Sequence, residues 1–124
     1  MWRSIGAPAE TVWGLLTEVE SWPEWGPTVA GAELDGDMFE LGATGTVATV
    51  LGVNLPFEVV EFEEGASWTW KVAGLPATEH LVVPDGDSCR AGFGVPWAAI
   101  AYLGVCHLAL RRIEDLAVGR EESQ

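Results

Sequence analysis

Residues 91–110 read AGFGVPWAAIAYLGVCHLAL, and the way this stretch folds decides the architecture of the chain. Its twenty residues contain no Asp, Glu, Lys or Arg, and Arg90 and Arg111-Arg112 bound it. Length and flanks both suit a membrane-spanning helix. Gly92, Gly94 and Pro96 in the first third oppose that reading, because Ala91, Phe93 and Val95 alternate as in a strand. The stretch therefore reads as the end of a strand, a break at Pro96, and then a helix.

Downstream, the helix is expected from about Trp97 to Val118. At about 100° per residue, Ala99, Tyr102, Cys106, Ala109, Leu110, Ile113, Leu116 and Ala117 share one face, with Arg111, Arg112, Glu114 and Asp115 off it. Upstream, turn signals fall at Asp35-Gly36, Gly42 to Gly45, Gly52 to Asn54, Glu64-Gly65, Gly74 to Pro76 and Asp85-Gly86. Intervals of roughly ten residues between them predict an antiparallel meander of short strands. Thr44–Leu51, Phe57–Phe62 and Ser67–Val72 fill the gaps with β-branched and aromatic residues. Gly42-Ala43-Thr44-Gly45 is a hairpin loop by position, not a phosphate cradle.

Before the meander, Pro8 and Glu10 signal a helix start, and Val12, Leu15, Leu16 and Val19 recur at helical spacing. Ser21-Trp22-Pro23-Glu24 has the form of a capping box that opens a second short helix. The predicted order is a short strand, two helices, six strands and a long amphipathic helix, an α+β architecture. One domain is expected over residues 1–118, followed by a polar C-terminal tail at 119–124.

The chain has 124 residues, of which 19 are acidic and 6 basic, for a net charge of −13. That balance argues against nucleic acid, which needs a basic stripe, and against docking on anionic lipid. Two Cys without paired spacing are too few for a disulfide framework or a zinc site. Pro8 and Glu10 interrupt any apolar signal-peptide core, so a cytoplasmic location is expected. A hydrophobic fraction of 48% and seven Trp exclude a disordered chain.

Three stretches carry a family resemblance. Ala7-Pro8-Ala9-Glu10-Thr11-Val12-Trp13 followed by Val19-Glu20-Ser21-Trp22-Pro23-Glu24-Trp25 resembles the opening of the START-related polyketide cyclase/dehydrase and lipid-transport superfamily. Phe57 to Gly65 with Trp68 and Trp70 resembles its middle hairpin, and Ala109 to Leu116 the end of its last helix. The resemblance implies a helix-grip fold, in which a seven-stranded sheet wraps the C-terminal helix and leaves a cavity between them. It also implies apolar ligands, such as lipids, sterols or polyketides, and for some members an enzymatic activity. A first strand no longer than Met1–Gly6 and several short loops imply a small cavity here.

Trp68 and Trp70 alternate with Thr69 and Lys71, so both rings share one sheet face. His80, in Thr78-Glu79-His80-Leu81-Val82-Val83, enters the cavity if Thr78 and Val82 also point inward. It is then either a proton carrier near neutral pH or simply hydrogen-bonded to a neighbour. Tyr102 and Cys106 lie one turn apart on the inner helix face. The Tyr102 hydroxyl needs a partner, whereas Cys106 lies among apolar residues and should be inert. The expected ligand-binding set is Trp25, Phe57, Trp68, Trp70, His80, Phe93, Tyr102 and Cys106. His80 and Tyr102 are the candidates for catalysis should the chain be a cyclase or dehydratase. His107 reads as a partly exposed flank residue, and Glu58, Glu61, Glu63 and Glu64 as a solvated face. No metal site and no cofactor are expected. Trp97, Ile100, Gly104 and Leu108 cluster on the outer helix face, where a homodimer or another partner could pack.

Overall fold

The apolar stretch divides where its glycines and proline dictate. The computed structural model describes residues 1–96 and 103–122. Its elements run β1 (Trp2–Ile5), α1 (Ala9–Thr17), a 3-10 turn (Val19–Ser21), α2 (Trp22–Trp25), β2 (Val29–Leu34), β3 (Thr44–Thr49), β4 (Asn54–Glu63), β5 (Ser67–Val72), β6 (Leu75–Asp85), β7 (Ser88–Gly94) and α3 (Leu103–Glu122). Strand β7 thus stops just before Val95-Pro96. Among the described residues, no helix is long and apolar enough to cross a membrane.

Among the described residues, seven strands form one curved antiparallel sheet in the order β1-β7-β6-β5-β4-β3-β2. The helices pack against this sheet and against each other: α1 contacts β6 and β7, α3 contacts β1 and β7, and the two helices contact one another. Burial follows the sequence periods. Helix α1 buries Val12, Trp13, Leu15 and Leu16, and α3 buries Cys106, Ala109, Leu110, Ile113 and Ala117. This is the α+β helix-grip architecture.

Three local details differ from the sequence reading. Ser21 makes no capping bond to α2; its hydroxyl instead donates to the carbonyls of Leu15 (2.7 Å) and Glu18 (2.8 Å), tying the 3-10 turn back onto α1. Thr44 and Gly45 belong to β3 rather than to a loop. A Cβ at Gly45 would overlap the Glu33 carbonyl oxygen and lie 2.6 Å from the Phe57 ring, so glycine lets β2, β3 and that ring close up. Helix α3 also continues past Val118 to Glu122. There Arg120 pairs with Glu18, and Glu121 accepts a hydrogen bond from Thr11. Cross-helix anchoring to α1 explains why a polar end stays helical.

Candidate functional site

The candidate site lies between the sheet and α3, where β5, β6 and β7 supply most of the inward side chains. Trp68 and Trp70 share one face although bulges interrupt the register between Val59 and Glu61 and between Thr69 and Lys71. Trp68, His80 and Phe93 stand in one row, because Trp68 pairs with His80 and His80 with Phe93 across the strands. All three are buried. From the other side α2 lowers Trp22 and Trp25 onto the sheet. The Trp22 ring stacks on Trp68 at 5.6 Å and 13°, and its Nε1 donates to the Leu16 carbonyl at 3.0 Å. Trp25 Nε1 donates to the Leu15 carbonyl at 2.9 Å, and its ring meets His80 and Phe93.

One polar chain threads this aromatic wall. Trp70 Nε1 donates to Thr78 Oγ1 at 2.9 Å, Thr78 Oγ1 lies 3.3 Å from His80 Nε2, and His80 Nδ1 lies 3.2 Å from the Trp68 carbonyl. A carbonyl only accepts, so Nδ1 carries the proton and Nε2 accepts from the Thr78 hydroxyl. Burial, partly opposed by the Trp68 carbonyl, lowers the His80 pKa from 6.5 to about 3. His80 is therefore neutral near pH 7, with both ring nitrogens engaged. Burial likewise pushes the Cys106 thiol up, away from thiolate chemistry. Among the described residues, Trp68 Nε1 is a buried side-chain donor without a partner.

Of the expected ligand-binding residues, Trp25, Trp68, Trp70, His80, Phe93 and Cys106 surround one common void. Its volume is about 50 Å³, room for a water or two but not for a ligand. The indoles of Trp22 and Trp25 are buried within the wall. Phe57 packs on Trp22 and Trp70. Tyr102, like Trp97 and Ile100 of the proposed outer patch, lies outside the described residues, whereas Gly104 and Leu108 are exposed. His107 and the carboxylates Glu58, Glu61, Glu63 and Glu64 are also exposed.

A larger apolar pocket of about 270 Å³ adjoins this void. Thr28, Val29, Trp70 and Thr78 line both spaces, so the hydrogen-bonded Trp70–Thr78 pair stands in the partition. The outer pocket is completed by Val47, Thr49, Leu55, Val72, Pro76, Ala77, Val95 and Pro96, with no ionisable group among its described lining. Sequence reading missed most of these residues. Each is an ordinary strand or turn residue, and the only available signal was that β2 through β7 would bring their ends together.

No group of His, Cys, Asp and Glu side chains among the described residues could hold a metal ion. The arrangement can enclose an apolar molecule and can offer it neutral hydroxyl and indole groups, but no charge.

Comparison with known proteins agrees with this picture. A family model described as polyketide cyclase/dehydrase and lipid transport matches residues 2–112. A crystal structure of a Nitrosomonas europaea protein is similar with a TM-score of 0.68 at 17% identity, over 100% of this chain and 95% of that one. XoxI from Bacillus cereus is similar with a TM-score of 0.68 at 16% identity, over 98% and 95%. A Thalictrum norcoclaurine synthase point mutant, in complex with a transition-state analogue, matches with a TM-score of 0.63 at 15% identity, over 98% and 93%. At these identities the structures establish a shared fold. No curated protein sequence matches the chain.

Proposed function

The chain belongs to the polyketide cyclase/dehydrase and lipid-transport family, and from that premise we propose that it binds a small, uncharged apolar or aromatic molecule in the outer pocket, beside the aromatic wall that separates the sheet from the C-terminal helix. The ligand enters the outer pocket and rests against Trp70 and Thr78. The observation that carries this reading is the 270 Å³ pocket with no charged lining beside an aromatic wall. A dry cavity of about 150 Å³ accepts benzene, so this larger pocket, open at its mouth, suits a molecule of two or three rings or a short branched chain. The donor inventory favours an uncharged ligand. Trp70 gives its N–H to Thr78, Thr78 its proton to His80, and Thr49 its proton to the Val53 carbonyl. A carboxylate placed there would lose its hydration and find these donors already committed.

The enzymatic alternative, with His80 and Tyr102 moving protons on a polyketide-like substrate, is less well supported. A neutral His80 locked by two hydrogen bonds and titrating near 3 is a weak base and carries no proton to give at Nε2. That norcoclaurine synthase, of similar fold, has been captured with a transition-state analogue supports the capacity of the fold to hold a small molecule.

The test uses two related dyes, neutral N-phenyl-1-naphthylamine and anionic 1-anilinonaphthalene-8-sulfonate. The neutral dye should bind saturably and quench Trp fluorescence, and the sulfonate should bind at least about tenfold more weakly. Val72→Trp, which fills the outer pocket, should abolish the neutral dye's signal. Absence of saturable binding, or equal binding of both dyes, would overturn the reading.

A further inference from the structure

We propose that the sheet end surrounding the outer pocket docks on the surface of a zwitterionic phospholipid bilayer, with the β3–β4 and β5–β6 hairpin tips buried in its interfacial layer. The tips are apolar and project from the body. Leu51 is 87% exposed, Leu75 69%, Val50 59% and Val53 51%. They stand directly on pocket residues, since Thr49 and Leu55 flank the first tip and Val72 and Pro76 the second. The Ala73 N–H donates to the Pro56 carbonyl at 2.8 Å, which ties the two hairpins side by side at the same sheet end.

Charge identifies what covers this end. Every described residue of the outer pocket comes from segments 25–32, 41–57, 65–78 and 91–96. The bounds of the first three are set by Glu24, Glu33, Glu40, Glu58, Glu64 and Glu79, and Lys71, the single lysine, is the one charge inside the segments; the tips themselves, residues 50–53 and 73–75, carry no charge. Lys71 itself lies opposite Glu58 in the β4–β5 register. Seven acids collect at the other end of the same strands. Glu33, Asp35, Asp37 and Glu40 flank or form the β2–β3 connection, and Glu61, Glu63 and Glu64 the β4–β5 turn. A molecule with uncharged apolar hairpin tips and a net charge of −13 carried away from them matches an uncharged interfacial layer below and water above. An anionic bilayer would repel the chain as a whole, which selects zwitterionic lipid. Docked this way, the pocket mouth faces the lipid, and an apolar ligand passes between them without crossing water. The function of the contact rests on the ligand reading above, but the contact itself is testable without any ligand.

The experiment is cosedimentation of the ligand-free full chain with phosphatidylcholine vesicles. The wild type should pellet with the vesicles, and replacing part of the lipid by phosphatidylserine should reduce the pelleted fraction. The double variant Leu51→Glu, Leu75→Glu changes two exposed side chains outside the pocket lining. It should lose at least about tenfold in partitioning while keeping its melting midpoint and its binding of N-phenyl-1-naphthylamine. A wild type that stays in the supernatant at millimolar lipid would overturn the proposal, as would a double variant that partitions unchanged. So would a wild-type dimer in lipid-free solution that the double variant converts to monomer, because a second copy would then cover the tips. Loss of dye binding with vesicle binding retained would strike only the ligand reading.

Discussion

The imidazole of His80 lies flat on the indole of Trp68, with ring centroids 3.7 Å apart and planes 10° apart, and donates from Nδ1 to the carbonyl of the same residue. The two residues are direct partners across β5 and β6. A single cross-strand pair thereby fixes the tautomer of the histidine and the face of the central tryptophan. Both rings are desolvated, and this makes the pair sensitive to acid.

His80 titrates near 6.5 in the unfolded chain and near 3 in the folded one. Above pH 6.5 both states hold a neutral ring and no pH dependence arises from it. As pH falls from 6.5 towards 3 only the unfolded state takes the proton, so stability is lost at up to about 1.4 kcal/mol per pH unit. His80→Phe should be less stable at pH 7, because the Trp68 carbonyl and Thr78 hydroxyl lose their partner. It should also lose less stability between pH 6.5 and 4.5. Urea unfolding of both proteins across that range measures the difference, and parallel curves would contradict it.

The β5–β6 turn places Ala73 at φ 53° and Gly74 at φ 77°. Positive φ at both central residues is the type I′ geometry, which Asn-Gly accommodates and alanine resists. Ala73→Asn should stabilise the fold by about 1 kcal/mol. Ala73→Gly should gain less, since glycine also adds freedom to the unfolded chain. Thermal melts decide between a strained turn and a relaxed one, in which all three midpoints coincide.

Gly45 and Gly31 make a matched pair of strand glycines. A Cβ at Gly45 meets the Glu33 carbonyl and the Phe57 ring, whereas one at Gly31 meets nothing within 4 Å. Gly45→Ala should cost about 3 kcal/mol or more, because backbone and a buried ring must both move. Gly31→Ala should be nearly neutral. Equal effects in chemical denaturation would show that β3 relaxes freely.

Salt should stabilise this protein. Glu18, Glu20, Glu33, Asp37 and Glu64 line one open groove, and among the described residues two ion pairs occur, Arg3–Glu114 and Arg120–Glu18. Molar NaCl shortens the screening length to about 3 Å and weakens the repulsion among many carboxylates far more than it weakens two ion pairs, one exposed and one partly buried. The melting midpoint should rise between 10 mM and 1 M NaCl by about 4 °C, equivalent to about 1 kcal/mol. A flat or falling midpoint would mean that self-repulsion is unimportant.

Much of this fold is written locally. Gly92, Gly94 and Pro96 divide the apolar stretch, the glycine turns space the meander, and Ala109, Leu110, Ile113 and Ala117 mark the buried face of α3. Turn chemistry and side-chain period act over a few residues, so one sequence is enough to read them. Ser21 shows the limit of such reading. Its capping-box spacing is genuine, yet a carbonyl six residues earlier takes the hydroxyl.

The tertiary structure alone decided where empty space lies. Composition indicated an aromatic cluster, and six of the expected residues do meet around a common void. But a void is what remains after side chains from many elements have packed, and no local pattern encodes that remainder. Trp22, fully buried from α2 on the indole of Trp68, takes up volume that the sheet and α3 enclose. Bulges after Val59 and Thr69 set which strand ends converge, and the ligand-sized space opens there, among Val47, Leu55, Val72 and Pro76. The sequence by itself determined which faces are apolar and in what order the elements come. Close packing among residues distant along the chain determined which part of that apolar interior stayed open.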